Sequence, residues 1–173
     1  MKRRARLSSD RRGAAAAEMA LVTPLLLVIL FGSVELGNYF YNEHIVMKAV
    51  RDGARFAARQ NFSNFGCSGV PGGTIEADTK ALVMTSLLSG GTNRLPSWNA
   101  TTVTLSTSCA ASATDLAAST ENLSGIYRGR STGAPIVTVQ ASVPYVPLVG
   151  SAFGFRGTGL SLNASQQAAV MGL

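Results

Sequence analysis

RRGAAAAEMALVTPLLLVILFG, residues 11–32, decides how the chain must be read. A basic doublet leads to one glycine, four alanines, one glutamate and then an apolar run. Residues 19–34 are 16 positions without a charge, and residues 14–34 are 21 positions with Glu18 as the one charge. A 21-residue helix is about 31 Å long, close to one hydrocarbon thickness. The stretch therefore predicts a membrane span over residues 14–36, with a buried helix of a soluble domain as the lesser alternative. The charge distribution favours the span. The chain carries +6, but residues 1–13 hold six Lys and Arg against one Asp, leaving nine against eight, or +1, for the rest. A basic tail beside an apolar segment holds that end in the cytoplasm. Everything after Leu36 then lies outside, in the periplasm if the cell is bacterial. The same asymmetry argues against nucleic-acid binding, which needs its basic patch on the folded body.

A cleaved secretory signal would place small residues after the apolar core. Here ELGNYFYNEH follows the core and the small residues precede it. A twin-arginine signal fits no better: Gly13-Ala14 follow Arg11-Arg12, and Glu18 intrudes. The expected organisation is a basic cytoplasmic leader over 1–13, a single transmembrane helix over 14–36 and an extracytoplasmic domain over 37–173. Pro24 removes one backbone hydrogen bond and crowds the carbonyl four residues back, which predicts a kink or local loosening.

Helical spacing continues beyond the apolar run. In NEHIVMKAVRDGARFAARQ, Ile45, Ala49, Val50, Gly53, Phe56 and Ala57 fall largely on one side. Lys48, Arg51, Asp52, Arg55 and Arg59 fall on the other, with Asp52 spaced to pair with Lys48 and Arg55. One long helix is expected from about Ala14 to Gln60, apolar all round at first and amphipathic later. TIEADTKALVMTSLLSGG predicts a short second helix, with Thr74 as N-cap, Gly90-Gly91 as its end, and Ile75, Leu82, Val83 and Leu87 on its buried face. The period then changes to two. TTVTLSTSCA and PIVTVQASVPYVPLVG alternate as strands, GLSLNASQQAAVM is a weaker third, and polar residues 110–134 between the first two read as an exposed excursion. The fold class is α+β: a long N-terminal helix packed on a small antiparallel sheet whose other face is polar. Cys67 and Cys109 both fall in the external part, where an even count points to a disulfide. The alternative is two separate buried thiols.

Gly13, Ala14 and Glu18 form a further pattern. A cut after Gly13 would give Ala14 a new amine and make Glu18 the fifth residue of the mature chain. That carboxylate can pair with the amine of a neighbouring subunit and lower the cost of both charges in lipid. The arrangement resembles the type IV prepilin signal. The wider segment, with Glu18-Met19, Ala20-Leu21 before Pro24, Glu35-Leu36-Gly37 and GARFAAR at 53–59, is similar to the TadE-like family of the tight-adherence (Tad, or Flp) pilus systems. The family more often has an aromatic residue where Met19 stands. PIVTVQASVPYVPL and LSLNASQQAAVM resemble its C-terminal half more loosely. The resemblance implies a minor pilin or pseudopilin of a type IVb-like pilus for surface adhesion, held in the bacterial inner membrane and cut by a prepilin peptidase. Its implied partners are membrane lipid, other pilins and pseudopilins, Tad assembly components and that peptidase. Gly13 and Ala14 would form the processing site, and Glu18 would serve assembly.

No enzymatic constellation stands against this reading. His44 is the only histidine, no G-x-S-x-G occurs, and the Gly-rich stretches VPGGT and LSGGTN lack the residues of a P-loop. No cofactor, metal site, nucleic acid or small-molecule substrate is expected. The competing class is a permanently anchored periplasmic envelope or binding protein with an uncleaved N-terminal anchor.

Overall fold

A computed structural model describes residues 11–110, 123, 125–128, 130, 133–153 and 159–172. One helix, α1 (Arg11–Ala58), runs unbroken through Pro24. It already includes the expected Ala14 at the first described residues and ends at Ala58, just before Gln60. Its first half is long and apolar enough to cross a membrane, and none of that apolar window is buried. Its second half carries the head. Val46, Ala49, Val50, Ala54, Ala57 and Ala58 are almost fully buried. This stripe keeps the predicted period but is rotated: Ile45 and Phe56 are half-buried on its flank. Four of its six residues are alanines, and the bulkier Ile45 and Phe56 lie at its edge. The expected pairs around Asp52 do not form. Lys48 and Arg55 extend into solvent, where such pairs contribute little.

α2 (Ile75–Thr85) packs across α1 at Gly53. A Cβ there would overlap Val83 Cγ2 and fall 3.3 Å from Thr79 Cγ2. The glycine is a close-approach residue, which offsets its poor helix propensity. Gly53→Ala should therefore destabilise the head by about 1–2 kcal/mol net, overpacking outweighing the propensity gain. Denaturant unfolding of Gly53→Ala, Val83→Ala and the double variant would check this. Val83→Ala should be less harmful in the Gly53→Ala background than alone, because it removes the clashing methyl.

Three features of α2 differ from expectation. Thr74 makes no side-chain cap; its αR backbone turns the hydroxyl toward Asp78 Oδ2, 2.7 Å away. The helix stops at Thr85 rather than at Gly90-Gly91, because Ser86 adopts the left-handed conformation (φ 71°) and its N–H donates to Leu82 O. Leu87 consequently falls outside the helix and is 53% exposed. Glu76 pairs with Lys80 one turn on, at 2.7 Å.

The sheet is an antiparallel meander of β1 (Val103–Cys109), β2 (Pro135–Pro144) and β3 (Ser161–Ala169), in that order. Its register stacks Leu105 on Val139 and Val143 on Leu162. Val103, Leu105, Val137, Val139, Ala141 and Val143 face α1 and form the core with it. Thr104, Gln140 and Ser165 lie on the opposite face in one row across the strands. Met171 N donates to Ala58 O at 2.7 Å, so the C-terminal strand closes the end of α1. Cys67 and Cys109 are joined by a disulfide, with their Cα atoms 4.9 Å apart. Most of the excursion at 110–134 lies outside the described residues. Of the part that is described, Tyr127 packs edge-on to Phe62 and donates to Val170 O at 2.8 Å.

Candidate functional site

Two places on α1 present chemistry that the packing of the head does not use. The first is its N-terminal end. Gly13, Ala14 and Glu18 all lie on the helix and are exposed. A Cβ at Gly13 would meet nothing within 4 Å, in contrast to Gly53. A glycine inside a helix costs about 1 kcal/mol relative to alanine, and no neighbour among the described residues asks for one here. Gly32 stands in the same open space. Pro24 also lies on this apolar, uncovered half, next to Thr23, whose hydroxyl donates to Met19 O at 2.6 Å. Leu21 and Val28 are 80% and 70% exposed, so the helix offers apolar surface on all sides.

The second place is Glu35, at the end of the apolar run. Its carboxylate collects the loop after β2. The amides of Leu148, Val149 and Gly150 donate to it at 3.1, 2.8 and 3.1 Å, and the Tyr145 hydroxyl donates to Oε1. Asn38 Nδ2 donates in turn to the Tyr145 oxygen at 2.9 Å. Burial, and then the hydrogen bond to Glu35, push the Tyr145 pKa above the ordinary phenol value of about 10. The phenol thus remains a donor near neutral pH. Charge-assisted bonds of this kind are the strong ones, and four of them converge on one side chain. The loop is thereby fastened to the helix where the apolar half meets the head. Glu35→Ala should raise amide exchange at residues 148–150 on the order of ten- to a hundredfold, because three N–H groups lose their acceptor together. Core amides such as those of Val137 and Val139 should change little, and hydrogen-exchange mass spectrometry would read both.

The sequence singled out Glu35 only as part of a resemblance. The available signal was a glutamate directly after an apolar run, together with apolar residues continuing past the end of β2 in VPYVPLVG. Elsewhere, Thr101, Thr104, Gln140, Ser142, Asn163 and Ser165 line a shallow depression of about 530 Å³ on the polar sheet face. Arg51 and Arg55 border a smaller one of about 300 Å³ with Gln166 and Gln167. Among the described residues no group of three His, Cys, Asp or Glu is placed to hold a metal ion. His44 is exposed on α1.

The structure does not bring Gly13 and Glu18 near Glu35 or the disulfide; they occupy opposite ends of the apolar half and the far side of the head. Comparison with known proteins bears on the helix alone. Neither a curated protein nor a solved structure matches the chain. The sequence model of the family described as TadE-like protein matches residues 13–55. That range starts at Gly13, includes Glu18 and Glu35, and ends two residues past the Gly53 crossing. Over residues 13–55, a quarter of its length, the chain is similar to the TadE-like family.

Proposed function

We propose that this protein is a TadE-like minor pilin or pseudopilin that takes part in assembling a Tad pilus. The observation that carries the reading is the arrangement at residues 13–18: a glycine that nothing among the described residues requires, followed five residues later by an exposed glutamate that opens an uncovered apolar helix. The TadE-like match over residues 13–55 supports it.

In this mechanism the basic leader stays in the cytoplasm, α1 crosses the inner membrane once and the head folds in the periplasm. A prepilin-type peptidase cuts after Gly13. The new Ala14 amine and Glu18 then give the mature helix complementary charges at its tip. The uncovered apolar half first contacts lipid and later the helices of other pilins, with Ala14, Ala15 and Gly32 permitting close approach. The hydrogen bond missing at Pro24 leaves the helix a point of adjustment during that transfer. The polar sheet face is left to meet other assembly components.

Mass spectrometry of the mature N-terminus, in membranes and in sheared surface material, tests the proposal. A chain beginning at Ala14 in both fractions is the expected result. A chain that keeps residues 1–13 and occurs only in membranes would favour the permanent anchor.

A further inference from the structure

The loop after β2 reaches further down α1 than a head standing clear of the bilayer requires. Val149 and Gly150 face Leu27, Val28, Phe31 and Gly32 across an open groove of about 440 Å³. By helical rise, Leu27 is about 12 Å below Glu35 along the axis. In the other direction, Tyr39, Phe40 and Tyr41 follow Glu35 by about 6–9 Å. Phe40 and Tyr41 are exposed, and Tyr39 packs edge-on against Phe40 and Tyr145 with centroids 5.8 and 5.2 Å apart. The rings of Tyr39 and Tyr41 are amphipathic, and such rings settle at the headgroup level. The loop tip thus lies on the hydrocarbon side of the aromatic cluster.

Span length is compatible with the same placement. The uncharged run at 19–34 is about 24 Å long, and a hydrocarbon core of about 30 Å can be completed by Ala14–Glu18 at one end or by residues toward Phe40 at the other. The second choice requires that the Glu35 charge be satisfied internally. It is: the carboxylate accepts from three loop amides and the Tyr145 hydroxyl. The same bonds give the amides of Leu148, Val149 and Gly150 partners, and Pro147 has no N–H to satisfy, which lowers the cost of bringing this backbone below the headgroups. The outward side chains match the surroundings. Val146 and Leu148 are 55% and 63% exposed, and both are apolar.

We infer that residues 146–150 are a second membrane-embedded element, a loop pinned in the outer leaflet by Glu35, with phospholipid acyl chains occupying the groove between loop and helix. This rests on the reading of α1 as a membrane span. Lipid is the occupant because the groove continues the helix surface that lipid would cover, and because its one charged neighbour, Glu35, is already engaged by the loop.

Nitroxide labels at Leu148→Cys, Leu30→Cys and Thr104→Cys test the placement. The full chain, with its disulfide intact, is reconstituted into phosphatidylcholine–phosphatidylglycerol vesicles. Collision with oxygen, which enters lipid, is compared with collision with a nickel chelate, which stays in water. The expected oxygen-to-nickel ratio at 148 is several-fold above that at 104 and on the lipid side, as at 30. A ratio at 148 equal to that at 104, with 30 in lipid, overturns the embedded loop and leaves the span standing. A water-like ratio at 30 overturns the span and the loop with it. A label at 148 shielded from both reagents overturns lipid as the occupant and indicates a protein covering. Val146→Cys provides an independent position if the Leu148 variant does not fold.

Discussion

Replacing Cys67 and Cys109 together by serine lowers the unfolding free energy of the head by about 4 kcal/mol, the chain-entropy value for a closed loop of this size. The two cysteines are 42 residues apart, and the loop they close contains all of α2. That loss is a large share of the roughly 5–15 kcal/mol typical of a folded domain. The effect is expected mainly in the denatured state, because other bonds hold the same place in the native one. Thr107 N donates to Gly69 O at 2.9 Å, so the segment after Cys67 stays tied to β1 without the sulfurs. The double-serine variant should therefore fold to the same structure and unfold sooner. Trp98 is the only tryptophan and is 2% exposed. Its fluorescence reports head unfolding directly. The denaturant midpoint should fall while the slope rises slightly, as a chain without the cross-link exposes more surface on unfolding. A midpoint shift worth less than about 1 kcal/mol would mean that the denatured chain already holds this loop closed.

Features of the fold set by neighbours in sequence were legible, and those set by distant partners were not. The strands emerge from alternation because each side chain on a pleated sheet goes inward or outward by position alone. The amphipathic half of α1 emerges from its period, but its buried line was misplaced toward Ile45 and Phe56. Val46, Ala54 and Ala58 complete that line; alanine carries little hydropathy, so two of the three give almost no signal in the sequence. The end of α2 was drawn to Gly90-Gly91, the residues that most easily turn left-handed; Ser86 made the turn first. Gly53 had no readable reason, since its reason is Val83 on another helix. Glu35 is the clearest case. Its amide donors lie 113 to 115 residues further along the chain. Locally it is only a charge after an apolar run, whereas Gly13 and Glu18 stand out because their spacing is itself the signal.

Glu18→Ala should leave membrane insertion and head stability unchanged and reduce incorporation into sheared filaments by more than about a hundredfold, the loss that follows from breaking a buried charge pair worth about 3–5 kcal/mol. The two halves of this expectation have separate physical grounds. Glu18 is exposed, and the nearest almost fully buried residue along α1, Val46, is about 42 Å away by helical rise. Trp98 unfolding should therefore be indifferent to the change. Insertion should be no worse, because a carboxylate in a span opposes insertion by up to about 3 kcal/mol. Assembly is different. A subunit cut after Gly13 carries an amine at Ala14, and once that end is surrounded by other helices the amine needs a counter-charge. Glu18→Gln offers an acceptor without the charge and should fail nearly as completely; Glu18→Asp keeps the charge on a shorter arm and should retain part of the activity. Gly13→Leu should also fail, for another reason, and mass separates the two defects: its chain keeps residues 1–13, whereas Glu18→Ala begins at Ala14. Immunoblots of membrane and sheared fractions give the incorporation ratio. Wild-type incorporation of a correctly cut Glu18→Ala chain would remove the charge pair from the mechanism and leave the apolar helix surface as the sole basis for assembly.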